Sequence, residues 1–105
     1  MSVWLSGNEQ TDEVVIHIKG RLDRNELDNF RDVYKSIGEH ERDKPRVVVD
    51  LEQATFIDRA GLQELVGMKD FLGYANGEIS IVRAPVTIRT LLSNIRYDRQ
   101  FVITS

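Results

Sequence analysis

RVVVDLEQATFIDRAGLQELVGMKDFLG, residues Arg46 to Gly73, reads as a buried strand, a short loop and a helix. Val47, Val48, Val49 and Leu51 make an apolar, β-branched run of strand length. Gln53-Ala54-Thr55 loosens that pattern, and Phe56-Ile57 brings the chain back to the core. Asp58 is placed to cap a helix, because its carboxylate accepts from a free backbone N–H of the first turn. The helix it opens is expected to bury Leu62, Leu65, Val66 and Leu72, with Lys69 inside that stripe. Met68 and Phe71 fall off the stripe, either packed on a neighbouring helix or exposed as a docking patch. Gly73 ends the helix. Such a unit presents a helix N-terminus at its tip, with unpaired donors and a positive dipole end. A functional face is expected there.

Upstream, Val3-Trp4-Leu5 suits a short first strand closed by Ser6-Gly7-Asn8. From Glu13 to Lys19 the chain alternates, with Val14, Ile16 and Ile18 on one side and Val15, His17 and Lys19 on the other. That period of two marks a half-buried strand, and the two strands are expected to form a hairpin. Gly20 ends the second one. Asp23-Arg24-Asn25-Glu26 has the form of a capping box. Leu27, Phe30, Val33, Tyr34 and Ile37 follow at helical spacing, with Gly38 as the stop. Residues 39–45 read as a charged loop, and Pro45 leads into the strand at Arg46.

Downstream, Asn76-Gly77 turns into a strand over residues 78–82. Pro85 suits the first position of a helix carrying Ile88, Leu91, Leu92 and Ile95, and residues 100–104 suit a last strand. Arg89 and Arg96, seven apart, are expected on one face of that helix. The order ββαβαβαβ predicts an α/β fold: a mixed sheet of about five strands with helices packed against it. The strand–helix–strand steps around residues 46–82 are expected to be parallel with right-handed crossovers. Residues 1–105 are expected to form a single domain.

Several classes of function are disfavoured. The chain has no cysteine, which excludes a disulfide framework and any thiolate ligand or nucleophile. A net charge of −3 argues against general nucleic-acid binding. No apolar run approaches the ~20 residues needed to cross a bilayer, nothing at the N-terminus resembles a signal peptide, and a cytoplasmic location is expected. His17 on an alternating strand and His40 in a charged stretch have no spacing relation that suits a metal. No Gly-rich phosphate motif or nucleophile elbow is present. No catalytic residue, cofactor site or metal site is expected.

The Arg46–Gly73 stretch also carries a resemblance. Val47-Val48-Val49-Asp50-Leu51, then Phe56-Ile57-Asp58, then Gly61-Leu62 is similar to the signature of the STAS domain, the family of bacterial anti-sigma factor antagonists. Gly20-Arg21-Leu22-Asp23 is a weaker match to the Gly-x-Leu-Asp that ends that family's second strand. The resemblance implies the fold given above and a non-enzymatic protein-interaction module of a partner-switching pathway. Its implied partner is an anti-sigma factor with serine kinase activity. The implied contact surface runs over Thr55, Asp58, Arg59, Ala60, Gly61, Glu64 and Met68. Family members that are switched by phosphorylation carry Ser or Thr just after the Asp, where this chain has Arg59. No switch is therefore expected at that position, and Thr55 is the nearest alternative hydroxyl. STAS domains also serve as subunits or regulators of other systems, lipid-transport ATPases and biofilm regulation among them. A small enzyme or nucleotide binder is a third reading of another class.

Overall fold

A computed structural model describes residues 1–8, 10–40 and 44–104. The elements run β1 (Ser2–Asn8), β2 (Glu13–Leu22), α1 (Leu27–His40), β3 (Arg46–Asp50), β4 (Ala54–Ile57), α2 (Arg59–Leu72), β5 (Ile79–Val82), α3 (Val86–Asn94) and β6 (Val102–Thr104), with a 3₁₀ turn at Tyr97–Arg99. The sheet is mixed and six-stranded, in the order β1-β2-β3-β5-β6, with β4 beside the far end of β2. The β1–β2 hairpin is antiparallel, and the other four pairings are parallel.

Alternation decides the layers. Ile16 and Ile18 of β2, Val47 and Val49 of β3, and Ile79 and Ile81 of β5 lie in one core with Phe30, Tyr34 and Ile37 of α1, Leu62, Leu65 and Met68 of α2, and Ile88 and Leu92 of α3. Side chains between them along each strand point to the opposite face. That face carries a transverse row, Trp4 beside His17, His17 beside Asp50, Asp50 beside Val82.

Gly20 does not end β2. It takes φ +89°, and the ladder slips there by one residue before Arg21 and Leu22 pair with Phe56 and Ile57 of β4. Only glycine adopts that backbone at no steric cost, so the strand bends and changes partner from β3 to β4. The segment expected as a loose loop is thus partly a strand, which makes six strands and the order ββαββαβαβ.

Other boundaries move for local reasons. β1 continues through Ser6-Gly7-Asn8 because Ser6, Gly7 and Asn8 pair with Val15, Val14 and Glu13. Asp23 does not cap α1: its carboxylate accepts from Asn25 N at 3.1 Å within a turn, and the helix starts at Leu27. Gly38 does not stop α1, which runs to His40. A Cβ there would sit 3.4 Å from Leu72 Cδ2, so Gly38 marks a close approach of α1 to α2. Of the expected 39–45 loop, residues 41–43 and the side chains of Glu39 and His40 lie outside the described residues.

α2 ends as read, with Gly73 at φ 77°. Its buried face is Gly61, Leu62, Leu65, Met68 and Lys69, in place of the expected Val66 and Leu72, which are half-buried. Lys69 is tolerated there because its ammonium donates to Asn76 Oδ1 at 3.0 Å and Asp70 Oδ1 at 3.3 Å. Pro85 precedes α3 as its cap residue. α3 stops at Asn94, and Arg96 takes φ 61°, so Arg89 and Arg96 share no helix face.

Candidate functional site

Asp58 stands in extended backbone, φ −96° and ψ −178°, at the start of α2. One carboxylate oxygen accepts from Gly61 N at 2.8 Å, and the other accepts from Arg24 N at 3.1 Å. The same residue therefore caps α2 and ties down the loop between β2 and α1. The Gly61 N–H, with help from Arg24, holds the Asp58 carboxyl below its usual range. Gly61 is buried because α2 lies directly on β2: an added Cβ would fall 2.3 Å from the Leu22 carbonyl oxygen.

Of the residues expected to face a partner, Thr55 and Arg59 are exposed, and Asp58, Ala60 and Glu64 are half-buried. Arg59 makes no ion pair or side-chain hydrogen bond among the described residues. Glu64 points to α1 instead: Arg31 donates to it at 2.6 and 3.2 Å, and the Tyr34 hydroxyl donates at 2.7 Å. Burial would raise the Glu64 pKa, but the bonds from Arg31 and Tyr34 outweigh it and hold the carboxyl low.

Met68 corrects the expectation outright. Its side chain is fully buried, so it is core and offers a partner nothing. Phe71 is the exposed member of that pair, at 55%, with Lys35 Nζ over its ring at 5.6 Å.

Beside the α2 start lies an open groove of about 510 Å³. Ile57, Leu62, Leu91, Ile95 and Tyr97 form its apolar part, and Arg59 and Gln63 its polar part. The Tyr97 hydroxyl donates to the Leu62 carbonyl at 2.7 Å, which fixes the 3₁₀ turn against α2. Sequence reading placed Arg59 at a helix end but gave no sign of this groove, whose walls come from α2, α3 and the turn after it.

A second cluster was also missed. His17 is more than an ordinary strand residue. On the sheet face away from the helices its Nδ1 lies 3.0 Å from Asp50 Oδ2, and its Nε2 lies 2.7 Å from Ser6 Oγ. The Trp4 ring stacks on the imidazole, 5.2 Å away and 12° from parallel. Arg83 donates to both Asp50 oxygens, at 3.3 and 2.9 Å, and Glu52 N donates at 3.0 Å. Burial pushes the Asp50 pKa up, while Arg83, Glu52 N and His17 pull it down further, so the carboxylate stays ionised. Only strand register joins these residues, since they are far apart in sequence.

Comparison with known proteins agrees with the fold. A family model described as "Mlab, STAS domain" matches residues 6–104. A STAS-domain containing protein of Pseudomonas aeruginosa is 33% identical over 92 residues, covering 88% of each chain. Among solved structures, an anti-sigma factor antagonist from Mycobacterium paratuberculosis superposes with a TM-score of 0.74 at 20% identity, over 97% of this chain and 83% of that one. Phosphorylated SpoIIAA, a Bacillus cell fate determinant, gives 0.65 at 16% identity, over 99% and 92%.

Proposed function

This chain belongs to the STAS domain family, and from that premise we propose that it is a non-enzymatic binding module of a partner-switching pathway. STAS domains and anti-sigma factor antagonists are non-enzymatic kinds of protein. The surface that binds is the start of α2 with the groove beside it, and the partner is an anti-sigma factor with serine kinase activity. The single observation that carries this reading is Arg59. A cation in the first helical turn opposes the dipole by ~0.3–1 kcal/mol, so helix stability gives no reason for it. It is exposed and unpaired among the described residues, and it adjoins an apolar groove. A charged residue beside uncovered apolar surface suits a partner that offers an acidic group next to an apolar one.

In this reading the module is a constantly competent binder, because Arg59 has no hydroxyl to phosphorylate. Phosphate at Thr55, exposed on β4, is the outcome that overturns constant competence. The missing hydroxyl fits equally a STAS subunit of a lipid-transport ATPase, which would use the same surface.

Affinity capture with mass spectrometry separates the two readings, through an anti-sigma kinase or a transporter ATPase. Titration calorimetry of Arg59→Ser against the captured partner then tests the surface. Binding is expected to weaken by ~1 kcal/mol or more, and by less as salt is raised. Unchanged affinity at both salt concentrations would place the interface elsewhere.

A further inference from the structure

We propose that Ser6 is an activated acceptor hydroxyl that takes an acyl group from an activated ester, with His17 as its base. The site lies on the sheet face away from the helices and stands whether or not the binding reading holds.

Asp50 is ionised and therefore accepts only. Its bond to His17 Nδ1, at 3.0 Å, then requires the proton on Nδ1. In the neutral ring Nε2 is left as a lone-pair acceptor. In that neutral form Ser6 Oγ, 2.7 Å away, donates to it. Hydroxyl to imidazole to carboxylate is the order that lets a base take a serine proton while a third group fixes its tautomer.

The arrangement is held from several sides. Cross-strand register puts Trp4 opposite His17 and His17 opposite Asp50. The stacked Trp4 ring restrains the imidazole plane. Arg83 clamps Asp50 through two nitrogens, and it does so from φ 55°, a conformation that costs a non-glycine residue energy. Ser6 itself is exposed on β1. That strand is the sheet edge, so no further strand covers it on its outer side.

The step balances without any further reagent. Ser6 Oγ attacks the ester carbonyl carbon, and its proton passes to His17 Nε2. The tetrahedral intermediate collapses, the bond from carbon to the leaving oxygen breaks, and that oxygen takes the proton from Nε2. The products are O-acyl Ser6 and an alcohol.

The test treats the native chain with 4-nitrophenyl acetate and maps the acetyl groups by peptide mass spectrometry. Hydroxylamine removes an O-acetyl ester and leaves lysine amides intact. The expected result is a hydroxylamine-labile acetyl on Ser6, formed in native buffer and lost in urea. It should be absent in Ser6→Ala and formed ~10²-fold more slowly in His17→Gln. Asp50→Asn should lower the labelling rate of Ser6 and leave the labelling of lysine amines unchanged, a split that loss of packing would not give. Labelling of Ser6 at the same rate in native and unfolded chain overturns the proposal, as does acetylation confined to amines.

Discussion

At the scale of single residues, Gly61 is the glycine with the least room for a side chain. The helix it belongs to lies so close to β2 that a Cβ would meet the Leu22 carbonyl oxygen at 2.3 Å and the Ile57 and Leu22 side chains at 3.1 Å. The first of these is backbone and cannot step aside. Gly61→Ala is therefore expected to push α2 off the sheet and cost about 1–3 kcal/mol, measured by urea unfolding. A variant as stable as the parent would mean that the N-terminal turn of α2 shifts freely. Gly67, in the same helix, meets only the end of Glu64 at 3.8 Å, so Gly67→Ala serves as a control that should not destabilise. The resemblance singled out Gly61 and not Gly67 in the sequence, but gave no physical reason for the difference. What separates them is the approach of another strand.

At the scale of elements, α1 and α2 are joined by Glu64, Arg31 and Tyr34. Burial, then the bond to Glu64, pushes the Tyr34 pKa up to about 12, whereas a free phenol titrates near ~10. A pKa raised on folding gives stability that is fully present below the unfolded value and lost as pH rises through the folded one. Urea midpoints of the native chain should thus fall between pH ~10 and about 12, and those of Tyr34→Phe should fall less steeply. Parallel curves would mean that the phenol is free to ionise in the folded state. The apolar face of α1 was legible, because Phe30, Tyr34 and Ile37 recur at helical spacing and are all buried. β4 was not. Its burial runs buried, exposed, exposed, buried, without the alternation that betrays a strand, since Thr55 is an extra residue on β4 with no partner on β2 where the register shifts. Met68 misled because it falls off the expected stripe and is nonetheless fully buried, whereas Lys69, inside that stripe, is buried as its position required.

At the scale of the whole molecule, three carboxylates tie separate parts together, and all three are held below their ordinary range. Asp50 joins β2, β3 and the end of β5, through His17 and Arg83. Asp58 joins α2 to the loop after β2. Glu64 joins the two longest helices. A carboxyl whose pKa falls on folding adds stability that is present above its unfolded value and lost as pH falls through the folded one. Unfolded carboxyls titrate near ~4, so acid unfolding should begin below pH ~4 and proceed downward. Circular dichroism against pH checks this, and a transition centred above pH ~5 would assign the acid limit to other groups. The mixed sheet and its helical cover were readable from hydrophobic period alone. The site was readable only where it is local, at Asp58 and Arg59. The groove and the Ser6–His17–Asp50 row depend on register and on crossing elements, which a sequence does not display.

The shared carboxylate of Asp58 also sets a clock on solvent exchange. Two amide protons from distant parts of the chain, those of Arg24 and Gly61, rest on one side chain. A single χ1 rotation of Asp58 uncovers both at once, with no melting of either segment. Their deuterium uptake then has a common local route that the amides deeper in α2, bonded within the helix, do not share.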